Sequence, residues 1–292
     1  MLAAASVVAM LGPVAVGTLE VRPLKAQTGE KLAFEVASVR KGKFDLRAVG
    51  NGLRFLPGGR MVAHGVPFWY LIVTAYGVPF QSNRITGGPE WARDFNVSYD
   101  IEAVAPKGAI PDGATARERD RRMRLMLLAL LAERFKMSVR SETKELPVYA
   151  VTVRSGGVKL EKSDKTEKEC GAEESTEESA GCHGWLGGMG RGIHGKAMSI
   201  EDIANAVSNW SDRQVVDQTG LAELYKVDTE GWAPMVAAPP RRDGELPSGE
   251  AVGDPARPTL FQVFDKMGMK LESKKAPVKM FVIERAERPT EN

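Results

Sequence analysis

Three histidines, His64, His183 and His194, are the only side chains of this chain whose ordinary titration falls near neutrality, and Cys170 and Cys182 are its only thiols. Cys170, Cys182, His183 and His194 together have the composition of a Cys2His2 zinc set. The chain has no CxxC and no HxxxH pair, however, and compact zinc sites are built from such pairs. A disulfide between Cys170 and Cys182, beside two surface histidines, is the preferred reading, so no metal is expected. Such a bond would close an acidic loop too polar to pack by itself and remove about 3 kcal/mol of unfolded-chain entropy. A pair of free thiols is the competing reading. His64 falls at a strand end, where a structural role is the simpler one.

The run Gly187-Gly188-Met189-Gly190-Arg191-Gly192 has the glycine content of a phosphate loop, but it follows no parallel strand and lacks the Lys-Ser/Thr ending. A flexible connection is the simpler account. No GxSxG, HExxH or SxxK pattern occurs, which leaves the common hydrolase routes without a nucleophile or metal pair. The adjacent Glu201 and Asp202 suit a helix N-terminus better than glycoside hydrolysis, which needs two acids across a cleft. An enzyme is therefore disfavoured, and no catalytic residue or cofactor is assigned. Acid/base sites assembled from distant segments leave no local pattern, so a secreted hydrolase stands as the alternative.

The elements that would position these residues are clearest between Lys196 and Gly231. Ser199 is placed to cap a helix whose first turn holds Glu201 and Asp202, with Ile200, Ile203, Ala204 and Val207 on one face. Strands are expected at Gln214–Val216 and Leu224–Asp228, separated by turn residues. The same unit occurs earlier: Val66, Phe68, Leu71 and Ala75 match Met198, Ile200, Ile203 and Val207, and Tyr99-Asp100-Ile101-Glu102 matches Tyr225-Lys226-Val227-Asp228. Each copy continues into a helix, Met123–Phe135 or Leu260–Met267. A hairpin is then expected in each, centred on Leu146-Pro147-Val148 or Ala276-Pro277-Val278. The fold class expected is α+β: two related modules, each a mixed or antiparallel sheet with two helices packed on one face. Trp91, His64, Tyr99 and Tyr225 are the candidate binding-surface residues.

The 292 residues suffice for two cores, and 43% hydrophobic with 27% charged residues is the composition of a globular protein. A net charge of +2 from 40 basic and 38 acidic side chains argues against a nucleic-acid partner. The six glutamates of Glu167–Glu178 read as a solvated loop, and the five arginines of Arg117–Arg124 as an exposed helix face with internal ion pairs. Met1–Thr18 carries no charged side chain and resembles a secretory signal without its basic start, so export is expected, with no stable membrane span after its removal. The boundaries expected are a signal-like segment at 1–27, a first module at 32–154, an acidic, Gly-rich connection with the cysteine loop at 155–191, and a second module at 192–287 with a Pro-rich insertion at 233–257. A tail follows at 288–292.

The combination of FEVASVR (Phe34–Arg40), ITGGPEW (Ile85–Trp91), YDIEA (Tyr99–Ala103), LLAERFK (Leu130–Lys136), ETKELPVYAV (Glu142–Val151) and VVDQTGL (Val215–Leu221) resembles a soil-associated bacterial family of uncharacterised exported proteins. Related domains in that family are fused to sensor-type membrane metallopeptidases. The resemblance implies export and transfers no catalytic residue. A looser pattern likeness links the Met198-Ser199-Ile200 unit to the short N-terminal modules of secretins and TonB-dependent receptors. The function expected is a non-catalytic binding module of the envelope or secreted fraction, with an envelope protein or peptide as partner. A sensory domain acting with a membrane peptidase is a further alternative.

Overall fold

The computed structural model describes residues 32–44, 52–171, 181–234 and 256–290. The signal-like segment at 1–27, nearly all of the Pro-rich insertion and all four glutamates between the two cysteines lie outside them. In chain order the elements are β1 (Val36–Gly42), β2 (Leu53–Leu56), β3 (Arg60–Pro67), α1 (Phe68–Tyr76), β4 (Ile85–Gly87), β5 (Ser98–Val104), α2 (Ala116–Arg134) and β6 (Ser138–Val153). There follow β7 (Glu161–Lys162), β8 (Leu186–Gly188), β9 (Gly192–Met198), α3 (Ile200–Val207), β10 (Val215–Asp217), β11 (Tyr225–Asp228), α4 (Leu260–Lys266) and β12 (Met269–Arg285). The second series repeats the first, three strands, helix, two strands, helix, strand. The fold is α+β, and no described helix is long and apolar enough to cross a membrane.

Local chemistry sets the helix ends. Pro67 leads into α1 and Gly77, at φ 62°, closes it in the left-handed region that glycine enters without penalty. Thr115 caps α2 by accepting from the Glu118 N–H, while α3 and α4 both open with full capping boxes, Ser199 with Asp202 and Thr259 with Gln262. Arg121 and Arg122 lie along α2 against Glu118 and hold its carboxyl down to about 2 through their hydrogen bonds, the internal ion pairing expected of that charged face.

Two of the three four-stranded sheets are antiparallel and have the same plan, β1-β5-β3-β2 and β7-β11-β9-β8. They also carry a bulge at the same place. His64 and Gly65 face Asp100 between the pairs Ala63–Ile101 and Val66–Tyr99, and Lys196 and Ala197 face Lys226 between Gly195–Val227 and Met198–Tyr225. Gly65 bends to φ 60° there and its N–H donates to Asp100 Oδ1 at 2.7 Å, which satisfies the donor that the bulge removes from the ladder.

The third sheet, β10-β6-β12-β4, joins the two series. β6 and β12 run antiparallel from the Ser138–Arg285 pair to the Val153–Met269 pair, with β10 parallel to β6 and β4 parallel to β12. Here the structure corrects two expectations, because neither Leu146-Pro147-Val148 nor Ala276-Pro277-Val278 turns. Each segment is the middle of one continuous strand, and Leu146 pairs with Ala276. The prolines are tolerated for a definite reason. Tyr149 N donates outward to Gln214 O and Phe281 N outward to Arg84 O, and Pro147 and Pro277 share their alternation. Both therefore occupy positions whose N–H would point away from the β6–β12 ladder, so no bond between the two strands is lost.

The long strands also serve both cores. Phe281 and Ile283 of β12 and Met137 beside the start of β6 lie with α1, α2 and the first sheet in one cluster, centred on Phe68, Met126, Leu127 and Phe135. Tyr149 and Val151 of β6 and Met269 and Leu271 of β12 lie with α3, α4 and Trp232 in the other. β7 and β8, in the stretch expected to be an acidic, Gly-rich connection, pair as strands of the second sheet. β1 stays extended through Lys41 and Gly42 because both pair with β5.

Because one pair of strands closes both cores, the slowest-exchanging amides of Ile101 in the first sheet and Val227 in the second are expected to open with the same free energy, within about 1 kcal/mol. Native-state hydrogen exchange checks this. A difference of several kcal/mol would mean that the cores unfold separately.

Candidate functional site

Ionisable side chains converge where α2, α3 and the segments joined by the Cys170–Cys182 bond come together. Asp202, third residue of α3, uses one oxygen to accept from Ser199 N at 2.7 Å, Ser199 Oγ at 2.7 Å and His183 Nδ1 at 2.8 Å. His183 follows Cys182, which is bonded to the buried Cys170 as expected. Its backbone is left-handed at φ 61° and its N–H donates to Ala197 O at 2.8 Å, so the ring is pinned from its own main chain. On the far side, His183 Nε2 is 3.0 Å from Glu167 Oε2.

Arg117, in the first turn of α2, completes the cluster. It donates to Glu201 Oε2 at 2.9 Å and to Ser199 Oγ at 2.6 Å, and lies 3.7 Å from Asp202 and from Glu167. Burial pulls the His183 imidazole down, but the hydrogen bond and charge of Asp202 with the charge of Glu167 outweigh it, and its pKa is raised. Burial likewise opposes the Asp202 charge, yet His183 and Ser199 hold its carboxyl below the usual range.

The arrangement limits its own chemistry. Ser199, His183 and Asp202 have the composition of a catalytic triad, but the Ser199 hydroxyl is bonded to Asp202 and Arg117 rather than to the imidazole, so the His183 ring faces no nucleophile. Asp202 and Glu167 address opposite nitrogens of His183 and cannot share a metal ion. Among the described residues no group of three or more His, Cys, Asp or Glu side chains converges as a metal set.

The residues singled out in the sequence are not brought together. His64 is exposed on the β3 bulge. Trp91 is half-buried, 4.9 Å from the Phe68 ring and under the Arg288 guanidinium at 5.5 Å, so the start of the charged tail is docked. Tyr99 and Tyr225 are each only 3% exposed and belong to the two cores, not to a surface. His194 is exposed and bonded to Asp228 Oδ1 at 2.6 Å and Arg191 O at 3.0 Å. Two shallow neighbouring grooves of about 400 and 490 Å³ share Asp265 and Lys266, and neither is lined by a histidine. Arg117, Glu167 and Asp202 were missed as a group. The Ser199-x-x-Asp202 spacing was the one signal available for them.

The fold and this cluster define an α+β protein with a disulfide-tethered ionic centre that joins its two series of elements. A family profile matches residues 70–286, and the chain belongs to that family, described as a protein of unknown function (DUF3738). Comparison with curated proteins gave no significant match. Comparison with solved structures gave none either.

Asp202→Asn is expected to lower stability by about 1–3 kcal/mol at neutral pH, through the cap and the bond to His183. Since the folded-state pKa of Asp202 is depressed, its contribution is present above the ordinary aspartate value and lost as the pH falls through the folded value. Denaturation of both proteins across the acid range should show the gap closing. A gap independent of pH would contradict the assignment.

Proposed function

We propose that this chain is an exported, non-catalytic binding module of the cell envelope or secreted fraction, and that it takes an extended peptide segment along β1. The observation that carries the reading is the length of that edge. β1 is a seven-residue strand at the margin of its sheet, whereas the other five sheet margins are strands of two to four residues. Proteins commonly blunt sheet edges by shortness, so one long edge in such company suits β-augmentation. Val36 on it is 63% exposed and Val104 beside it is 41% exposed, with Arg40 further along the same face. A partner strand alternating apolar and acidic residues would fit. Arg134 donates to Ala37 O at 2.9 Å and covers part of the edge, which marks where a bound strand would have to displace a side chain.

Export is supported by the uncharged Met1–Thr18 stretch and by the disulfide, which persists in oxidising compartments. The likeness to exported soil-associated proteins points the same way. Two related modules, descended by duplication, are supported by the repeated element order, the matching sheet plans and the matching bulges.

The test is capture from envelope extract by the region after residue 31, alongside Val36→Asp, whose exposed position leaves folding intact. Saturable retention of one component, weakened about tenfold or more by the substitution, is expected. Equal retention by both proteins would contradict the β1 reading, and turnover of any member of a hydrolase substrate panel would overturn the non-catalytic one.

A further inference from the structure

The cluster at His183 holds more charge than a helix cap requires. Around the imidazole stand Asp202 and Glu201 from α3, Glu167 from the segment leading into Cys170, and Arg117 from α2, with the Asp120–Arg124 pair of α2 at 2.7 Å beyond. One oxygen of Glu167 is buried without a hydrogen-bond partner. With His183 protonated, two cations face the three carboxylates Asp202, Glu201 and Glu167. With it neutral, Arg117 alone faces all three.

Geometry sharpens the imbalance. A neutral imidazole carries a single N–H, and when Nδ1 donates to Asp202 the bare Nε2 lies buried without a hydrogen-bond partner, 3.0 Å from the Glu167 carboxylate. The ring is held on its other side by that Asp202 bond, and its backbone amide by Ala197 O. Relief comes from the Glu167 side. Beneath that side Cys170, Ala197 and Leu224 form a small apolar cluster, with Ala116 of α2 against it.

We infer that His183 is a proton-held clasp: in its charged form it fastens the described segment leading into Cys170 onto the first turns of α2 and α3, and on losing its proton it releases the Glu167 arm of that segment. This does not depend on the β1 reading. The folded-state pKa of His183 is raised, so the clasp is fully closed below the ordinary histidine value and opens as the pH rises through the folded one. An exported protein would thus keep the Glu167 arm fastened in acidic surroundings and loosen it in alkaline ones, with Cys170 tied to Cys182 in both.

The experiment uses the full chain with its disulfide intact. Proton NMR titration of the three histidines, with His183→Gln for assignment, is combined with hydrogen exchange at the Cys170 and His183 amides, corrected for intrinsic rate, at pH 5.5 and 9. His183 is expected to titrate above an ordinary histidine, and Cys170 amide protection to fall roughly tenfold or more between the two conditions. In Glu167→Gln, where no charge faces Nε2, that fall should largely disappear. Protection that is equal at both pH values, a fall of the same size in E167Q, or a His183 that titrates at or below the ordinary value would each overturn the clasp.

Discussion

The pairing of β6 with β12 is the constraint on which the rest of this structure depends. Each strand ends in a different apolar cluster from the one in which it begins. Neither core is closed by its own half of the sequence. Phe281 and Ile283 arrive from the end of the chain to complete the cluster around Phe68 and Phe135, while Tyr149 and Val151 leave the first series to complete the one around Phe264 and Trp232. The short strands β4 and β10 follow the same exchange, each lying along the long strand of the opposite series. Two separate hairpins would have left each core short of these side chains and would have needed turn chemistry that neither Leu-Pro-Val nor Ala-Pro-Val supplies.

That interlock also explains where the ionic cluster lies. α2 belongs to the first series and α3 to the second, and with the cores joined through one sheet their first turns meet closely enough for Arg117 to bond Ser199 and Glu201. The segments tied by Cys170–Cys182 have no counterpart among the described residues of the first series. They bring His183 and Glu167 to the junction, so an ionic cluster lies at one place where the two series touch outside the central sheet; the bond from Phe80 N to Asn209 Oδ1 is another. The junction is polar because four orphan N–H groups open each helix there, and Ser199 and Asp202 had to answer them in any case.

Much of this was legible in the residues. The helices at Phe68, Ala116, Ile200 and Leu260 follow from caps and apolar spacing, and the matched Val66–Ala75 and Met198–Val207 patterns marked the strand-to-helix entries of α1 and α3. The Cys170–Cys182 bond was legible because two thiols flanked one polar loop. What failed was any inference that required knowing which strand lies beside which. A proline between two β-rich arms reads as a turn from local sequence, and only the alternation of outward N–H groups along a shared ladder shows that it can sit mid-strand. Tyr99 and Tyr225 failed for a related reason. Tyrosine is as much at home in a core as on a binding face, and the alternation that sets Tyr99 with Ile101 and Ala103, and Tyr225 with Val227, does not say which face of the strand is covered. Arg117 meets His183 across long sequence separation, and no periodicity records such a meeting.

The central claim is that the two long strands are each other's neighbours, and a cross-link addresses it most directly. Thr143 and Lys279 pair on the β6–β12 ladder, are exposed, and share the alternation of Tyr149 and Phe281, at which the two backbones exchange no hydrogen bond and side chains approach closest. With Thr143→Cys and Lys279→Cys in the full chain, mild oxidation should close an intramolecular disulfide in nearly every molecule, read by mass after non-reducing digestion. Two free thiols remaining after oxidation, in a folded protein, would contradict the interlocked arrangement.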